Sequence, residues 1–314
     1  MIDANRAIAW LLESREPAVR RQARRDFFGE EASDDDVLGG TIVRTLFSGQ
    51  RTDGGFGVHP YAKWSGAHWR LVSLVELEIP RGESRAVAAA GTVLDWLTGY
   101  GHRANVPVID GLARRCASQE GNALAVCARL GMAEDSRVEL LARSLVEWQW
   151  PDGGWNCDRK ASGHRSSFHE SLAPAWGLHE FAVATGAQWA RDGANHAVEL
   201  FLERRLFRSL KTGEVINADW LAPHYPPFWH YDVAQALLVV SRMGKVRDPR
   251  AAEALDVLAA RQRSDGLWAP GKSWWRPPGA SGSNVEVVDW GRRTPSPMLT
   301  LNALRVLKAA GRLA

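Results

Sequence analysis

Apolar residues recur at spacings of three and four along nearly the whole chain, and no stretch alternates apolar with polar at period two. Ile8, Leu11 and Leu12 share one face of a first helix over 3–13. Pro17 suits the first position of a second, over 17–28, where Val19, Ala23 and Phe27 recur four apart. Asp34, Asp35 and Asp36 precede the apolar series Val37, Leu38, Ile42, Val43 and Leu46, where a helix N-terminus favours negative charge. The same reading predicts helices over 36–48, 67–78, 85–98, 118–130, 136–149, 168–184, 193–207, 229–242, 250–262 and 297–310. Pro174 must lie in the first turn of its helix or kink it. That makes twelve helices in six pairs.

The second member of each pair tends to be the more apolar. Residues 234–240 and 299–307 carry one charge, Arg305, between them. Such helices touch neighbours on several sides, whereas the more charged first members keep a face in water. The expected fold is therefore all-α: an (α/α)6 barrel, or toroid, of six helical hairpins forming one domain over 1–314. Inner helices of such a barrel run parallel, and their N-termini converge at one mouth with unpaired N–H groups. A site belongs at that mouth.

Three copies of one phrase punctuate the pattern. They run from Gln50 through Asp53-Gly54-Gly55 to Phe56, from Gln149 through Asp152-Gly153-Gly154 to Trp155, and from Gln262 through Asp265-Gly266 to Trp268. Each ends a helical stretch, turns on Asp-Gly and presents an aromatic ring at the same offset. The copies lie 99 and 113 residues apart, about two helical hairpins each time.

Composition narrows the function only a little. A net charge of +3 over 314 residues excludes the concentrated basic face that nucleic-acid binding needs. Fifteen Trp against four Tyr and nine Phe is unusual, and indole faces suit apolar or cationic ligands as well as helix contacts. Cys116, Cys127 and Cys157 form no close pair in sequence, which fits a reducing, cytoplasmic setting better than a disulfide scaffold. No leader pattern opens the chain, and no transmembrane segment is expected from its apolar runs. Phosphate-binding glycine loops, Gly-x-Ser-x-Gly elbows and Cys-x-x-Cys pairs are absent from the sequence.

A second register concerns the starts of the inner helices. Gly66-Ala-His68-Trp69-Arg70, Ser167-Phe168-His169-Glu170 and Phe228-Trp229-His230-Tyr231-Asp232 each open with a histidine beside an aromatic residue. Gln119-Glu120 and the pair Ser296 and Thr300 take the corresponding places in two other hairpins.

The Gln-x-x-Asp-Gly-Gly-Trp phrases resemble the repeats of squalene and oxidosqualene cyclases and of protein prenyltransferase β subunits. The stretch from Asp152 to Trp155 through Asp158, Lys160 and Phe168-His169 to Trp176-Gly177-Leu178 is similar to the prenyltransferase segment ending in an aromatic-His pair. The resemblance implies an α/α barrel and an apolar, isoprenoid substrate. In the transferases that histidine is a zinc ligand, and His169 inherits the candidacy. The Asp-x-Cys that completes the transferase zinc set is not found in the preceding pair, nor does the chain have room for the second barrel of the cyclases. The one cluster resembling the cyclase acid, Asp34-Asp35-Asp36, opens an outer helix instead of facing a cavity.

Three readings follow. In a zinc site, His169, His230 and Asp232, with Glu170 adjacent, supply two imidazoles and a carboxylate with one position open. In a metal-free terpenoid-type enzyme, Trp64, Trp69, Trp155, Trp176, Trp220 and Trp229 line an apolar cavity with His68, and Asp219 or Asp232 donates the proton. Cyclisation or related carbocation chemistry is slightly preferred, because the transferase zinc set is incomplete, and His169 and His230 remain catalytic candidates. In a non-catalytic reading, Arg70, Lys160, His164 and Arg165 hold the anionic head group of a lipid, while Arg20, Arg21, Arg24 and Arg25 form a mainly solvated helix face. Cys127 reads as core, and Cys157, just past the second phrase, as a soft metal ligand.

Overall fold

The computed structural model describes Ile2, residues 4–30, 36–104 and 106–313. Among these the regular secondary structure is almost entirely helical, as the periodicity predicts. Its α-helices are α1 (Asn5–Leu12), α2 (Pro17–Phe28), α3 (Thr41–Phe47), α4 (Ala67–Glu76), α5 (Ser84–Thr98), α6 (Tyr100–Arg103) and α7 (Ser118–Arg129). They continue with α8 (Ser136–Glu147), α9 (Phe168–Thr185), α10 (Gln188–Glu203), α11 (Val233–Arg242), α12 (Ala252–Ala260) and α13 (Pro297–Ala309). All twelve expected helices are present. The additions are the single turn α6, two short 3-10 helices, and a small hairpin in which β1 (Val108–Ile109) pairs antiparallel with β2 (Leu112–Ala113).

Three boundaries differ from expectation for identifiable reasons. Helix α10 starts directly after Gly186, whose left-handed backbone (φ 74°) caps α9, and it ends before Arg205 and Leu206, both at positive φ. Helix α11 starts only at Val233, because the Asp232 carboxylate accepts the Gln235 N–H as N-cap, so Trp229 and His230 precede the helix. Pro174 lies in the second turn of α9, where it removes the N–H that the Glu170 carbonyl would otherwise accept. Asp34 and Asp35 lie outside the described residues. Asp36 is exposed in a turn before α3 and accepts from Arg20 at 3.1 Å.

The residues cluster into two compact units, each discontinuous in sequence: Met1–Ser48, Glu76–Pro80 and Leu202–Ala314, and Gly49–Val75 with Arg81–Phe201. In the first unit α13 packs against both α2 and α11, α1 lies against α2 and α13, and α12 against α11 and α13. The two ends of the chain meet there, Ile2 donating its N–H to the Arg312 carbonyl at 3.0 Å. Leu11, Val19, Ala23, Leu237, Val240, Leu301 and Leu304 are buried in its core. Arg305 enters that interior from α13 and is held by Asp26 and Gln22 of α2.

In the second unit α7 and α9 pack closely, flanked by α5 and α8. Gly121 of α7 faces the backbone of Ala173 and Pro174, and Gly177 of α9 faces the Gly121 carbonyl. A Cβ at either position would meet backbone inside any real van der Waals contact. Absence of side chains at these two points is what lets the helices approach so nearly.

The repeated phrase acts as a clamp in each unit. Gln149 Nε2 donates to the carbonyl of Gly153 in its own turn (2.7 Å) and of Gly193 in α10 (2.9 Å). Gln50 does the same to Gly54 (3.0 Å) and Arg85 of α5 (2.7 Å), and Gln262 closes its own turn on Gly266 at 2.9 Å. The turn glycines Gly54, Gly153 and Gly266 all have φ between 84° and 92°, which only glycine adopts freely. Gly54 and Gly153 lie on the Ala88 and His196 carbonyls of α5 and α10, and Gly266 lies beside Arg6 of α1.

The aromatic at the end of each phrase is tied to the helix that follows. Trp155 and Trp268 are fully buried and donate their indole N–H to the carbonyls of Leu145 and Leu258, both at 2.9 Å. Their backbone N–H groups reach the hydroxyls of Ser171 and Thr300, each the fourth residue of its helix. Their carbonyls accept from the N-cap residues Ser167 and Ser296. In the first copy the fourth residue of α4 is Arg70, whose guanidinium covers Phe56 with 4.0 Å to the ring centroid.

The α7–α9 crossing gives a direct stability prediction. Gly121→Ala should destabilise the protein by about 3 kcal/mol or more, because the new methyl meets backbone that cannot rotate away. Gly91→Ala, in α5 where nothing lies within 4 Å of the added carbon, should be neutral or stabilising by up to about 1 kcal/mol. Denaturant midpoints of the two variants test this; equal midpoints would show that the close approach carries no weight.

Candidate functional site

The strongest concentration of chemistry lies in the second unit, at the N-terminal ends of α7 and α9. Two irregular segments are laid side by side there. Arg115 donates its N–H to the Asn156 carbonyl at 3.0 Å, and Trp150 donates its indole N–H to the Ala113 carbonyl at 2.8 Å. The second clamp fixes Trp155, so Cys157 emerges two residues beyond a fully buried ring. Cys116 sits two residues before α7 on the facing segment. Glu170, in the first turn of α9, is 8% exposed and accepts the Ser118 N–H at 3.0 Å through Oε2.

These folds bring Cys116 Sγ, Cys157 Sγ and a Glu170 oxygen within 4.8 Å of one another. Cys157 Sγ is 3.8 Å from Glu170 Oε1. Among the described residues this is the one group of three histidine, cysteine or carboxylate side chains close enough to share an ion. The neighbouring Cys116 lowers the Cys157 thiol, while Cys157 and burial together raise the Cys116 thiol. Burial raises the Glu170 carboxyl, an effect opposed by the Ser118 hydrogen bonds.

Polar groups surround the cluster. Tyr61 hydrogen-bonds Gln119 and feels Glu170, Cys116 and Cys157; burial pushes its phenol up to about 12. Glu120, 1% exposed, accepts through Oε1 from Arg115 (2.6 and 2.8 Å) and meets His102 Nε2 at 2.9 Å. Its Oε2 is buried with no hydrogen-bond partner among the described residues.

The residues singled out from sequence are distributed differently. His169 is half-buried in the first turn of α9, beside Glu170 in the chain. His230 and Asp232 belong to the first unit. The His230 ring is stacked between Trp229 (3.9 Å) and Trp274 (4.0 Å). Asp232 accepts from the backbone N–H groups of Gln235 and His224, both at 2.8 Å, and makes a short contact with His224 Nδ1. The amide of Gln235 meets His224 Nε2 at 2.7 Å, which leaves Nδ1–H for Asp232. Asp219 is exposed and paired with Lys272.

Of the candidate cavity tryptophans, Trp64, Trp69 and Trp155 are at most 1% exposed. Trp64 and Trp69 meet edge to face at 4.8 Å, and Trp69 donates to the Tyr61 carbonyl. Trp220 is buried against Tyr231, Trp176 is buried and donates to Glu180, and Trp229 is half-buried. Lys160, His164 and Arg165 are exposed, whereas Arg70 is buried on Phe56.

Cys116 was not a sequence candidate. Its place just before α7, in the register that drew attention to the histidines, was the available signal. No family model and no curated protein matches the chain. No helix among the described residues is long and apolar enough to cross a membrane.

His68 is 1% exposed among Tyr61, Trp69 and Trp96, and neither ring nitrogen has a hydrogen-bond partner among the described residues. Burial lowers it to about 3, so the folded protein holds it neutral. Between the ordinary histidine range and that value the unfolded chain takes up a proton that the native state refuses. Stability from this residue is therefore lost as pH falls, by about 1.4 kcal/mol per pH unit. His68→Phe should flatten the loss between pH 7 and pH 5 by that slope. Denaturation curves at both pH values check it; parallel losses in variant and wild type would remove His68 from the balance.

Proposed function

We propose that the chain is a zinc-dependent enzyme of the (α/α)6 toroid type, acting on an apolar, isoprenoid substrate, with Cys116, Cys157 and Glu170 as the metal ligands. The observation that carries this reading is the convergence of two thiols and one buried carboxylate from three separate stretches of chain. Two ligands on a shared tetrahedral zinc lie roughly 3.5–3.8 Å apart. The separation of Cys157 Sγ from Glu170 Oε1, 3.8 Å, fits that geometry. Ser118 holds the second Glu170 oxygen, the kind of outer contact that orients a ligating carboxylate. A bound zinc would supply Lewis acidity or an activated thiolate or water at its open position.

The toroid is supported by the clamps. The first two phrases lock their turns against the next outer helix, α5 or α10, and the third lies against α1, the first helix of the chain. A succession of that kind, ending where it began, is what a closed ring of hairpins requires. The isoprenoid substrate rests on the resemblance of these phrases to cyclases and prenyltransferases. Around the cluster, Tyr61 remains a phenol at neutral pH and is available to donate a proton, and the Arg115–Glu120 pair keeps a fixed cation beside it. We prefer Cys116, Cys157 and Glu170 to His169, His230 and Asp232, because the Asp232 oxygens are already occupied by three donors. The same occupancy disfavours Asp232 as the acid of a metal-free cyclase.

The test is metal analysis of untagged protein purified under reducing conditions, followed by turnover assays with prenyl diphosphates. One zinc per chain is expected, with affinity falling at least about 10-fold in Cys157→Ser and in Glu170→Gln. Turnover should vanish on chelation and return with zinc. Reconstituted wild type that holds no zinc, or a Cys116→Ser/Cys157→Ser double variant that holds it equally well, would defeat the assignment.

A further inference from the structure

We infer that Cys116 and Cys157 are a redox-active pair, a modification site that closes into a disulfide on reaction with a hydroperoxide. Their use as metal ligands rests on the reading above; their closure as a pair does not. The two sulfurs lie within 4.8 Å of each other in the cluster. The backbones carrying them are held as neighbours by the Arg115–Asn156 hydrogen bond and by the parallel bridge between Arg114 and Asn156. That bridge leaves Cys116 two residues and Cys157 one residue past the paired positions, on neighbouring backbones from which the two sulfurs come within 4.8 Å of each other.

Two further features separate this pair from Cys127. Cys116 and Cys157 are half-buried and lie outside the helices, so small oxidants reach them and their segments can shift without unwinding a helix. Cys127 is 1% exposed within α7, with no cysteine beside it. The reaction balances as two steps. One thiol attacks hydrogen peroxide, the O–O bond breaks, a sulfenic acid forms, and one water leaves. The second thiol attacks the sulfenic sulfur, the S–S bond forms, the S–O bond breaks, and a second water leaves. Two electrons pass from the sulfurs to the peroxide. Closure removes two of three ligands, so a metal held there is released as the disulfide forms.

The experiment uses the full chain in two arms. Metal-free wild type is treated with hydrogen peroxide under native conditions, alkylated, digested and read by mass spectrometry. A peptide linking Cys116 to Cys157, reversed by dithiothreitol and formed at least about 10-fold faster than any change at Cys127, is the expected result. In the Cys116→Ser variant the reaction should stop at a dimedone-reactive sulfenic acid on Cys157. In the second arm, zinc-loaded protein should release zinc to a chromogenic chelator in step with cross-linking. Independent over-oxidation of the two thiols without a linked peptide, or modification of Cys127 at the same rate, overturns the pairing. A protein that cross-links but binds no zinc retires the metal assignment and leaves the dithiol standing.

Discussion

One glutamine amide holding two carbonyls at once is the interaction on which the helical framework depends. In Gln149 it ties the end of α8 to its own Asp-Gly turn and to α10, and in Gln50 it ties a second Asp-Gly turn to α5. Each hydrogen bond contributes about 1 kcal/mol net, but leaving a turn carbonyl unmet under packed helices costs more than its formation yields. The left-handed glycine that follows has no side chain, which lets the turn lie on the next helix's carbonyls. Remove the glycine, and the amide has nothing within reach to bridge. The fully buried Trp155 and Trp268 then fix the angle at which the following chain departs.

The candidate site depends on that departure. Because Trp155 is tied to Leu145 behind it and Ser171 ahead of it, Cys157 leaves the clamp in a determined direction and meets Glu170 one turn along the same helix entry. The approach of α7 to α9, possible only because Gly121 and Gly177 lack side chains, brings Ser118 and Cys116 to the same place. Stability and chemistry thus share a cause. The closest helix crossing in this unit also buries a carboxylate whose desolvation must be met by hydrogen bonds, by a proton or by a cation.

Much of the framework was legible in the sequence. Twelve apolar stretches of period 3.6 became twelve helices, and the Asp-Gly turns became clamps, because both are local properties of the chain. The start of α11 was misread for an equally local reason. Trp229 and His230 look like a helix opening, but Asp232 is the better N-cap and captures the Gln235 N–H. The fully enclosed Trp64, Trp69 and Trp155 show that an indole in this chain can serve helix contact alone. The cysteine pair was out of reach. Cys116 and Cys157 are 41 residues apart, in segments outside the repeat, and contacts such as the backbone bond from Arg115 to Asn156 reveal that they are neighbours.

The contrast between two buried acidic residues, Asp232 and Glu170, lies in what answers their oxygens. Asp232 and Glu170 are both buried near helix N-termini, and both accept backbone N–H groups. Asp232 meets two N–H groups and an imidazole, so its negative charge is answered entirely by the protein. Glu170 has one oxygen answered by Ser118 and the other facing a thiol at 3.8 Å, a weak donor and a poor substitute for a cation. Burial raises its carboxyl, so a proton or a cation beside the two sulfurs can answer what the Ser118 hydrogen bonds do not. The supply of donors, rather than residue type or position in the repeat, separates these two buried acids.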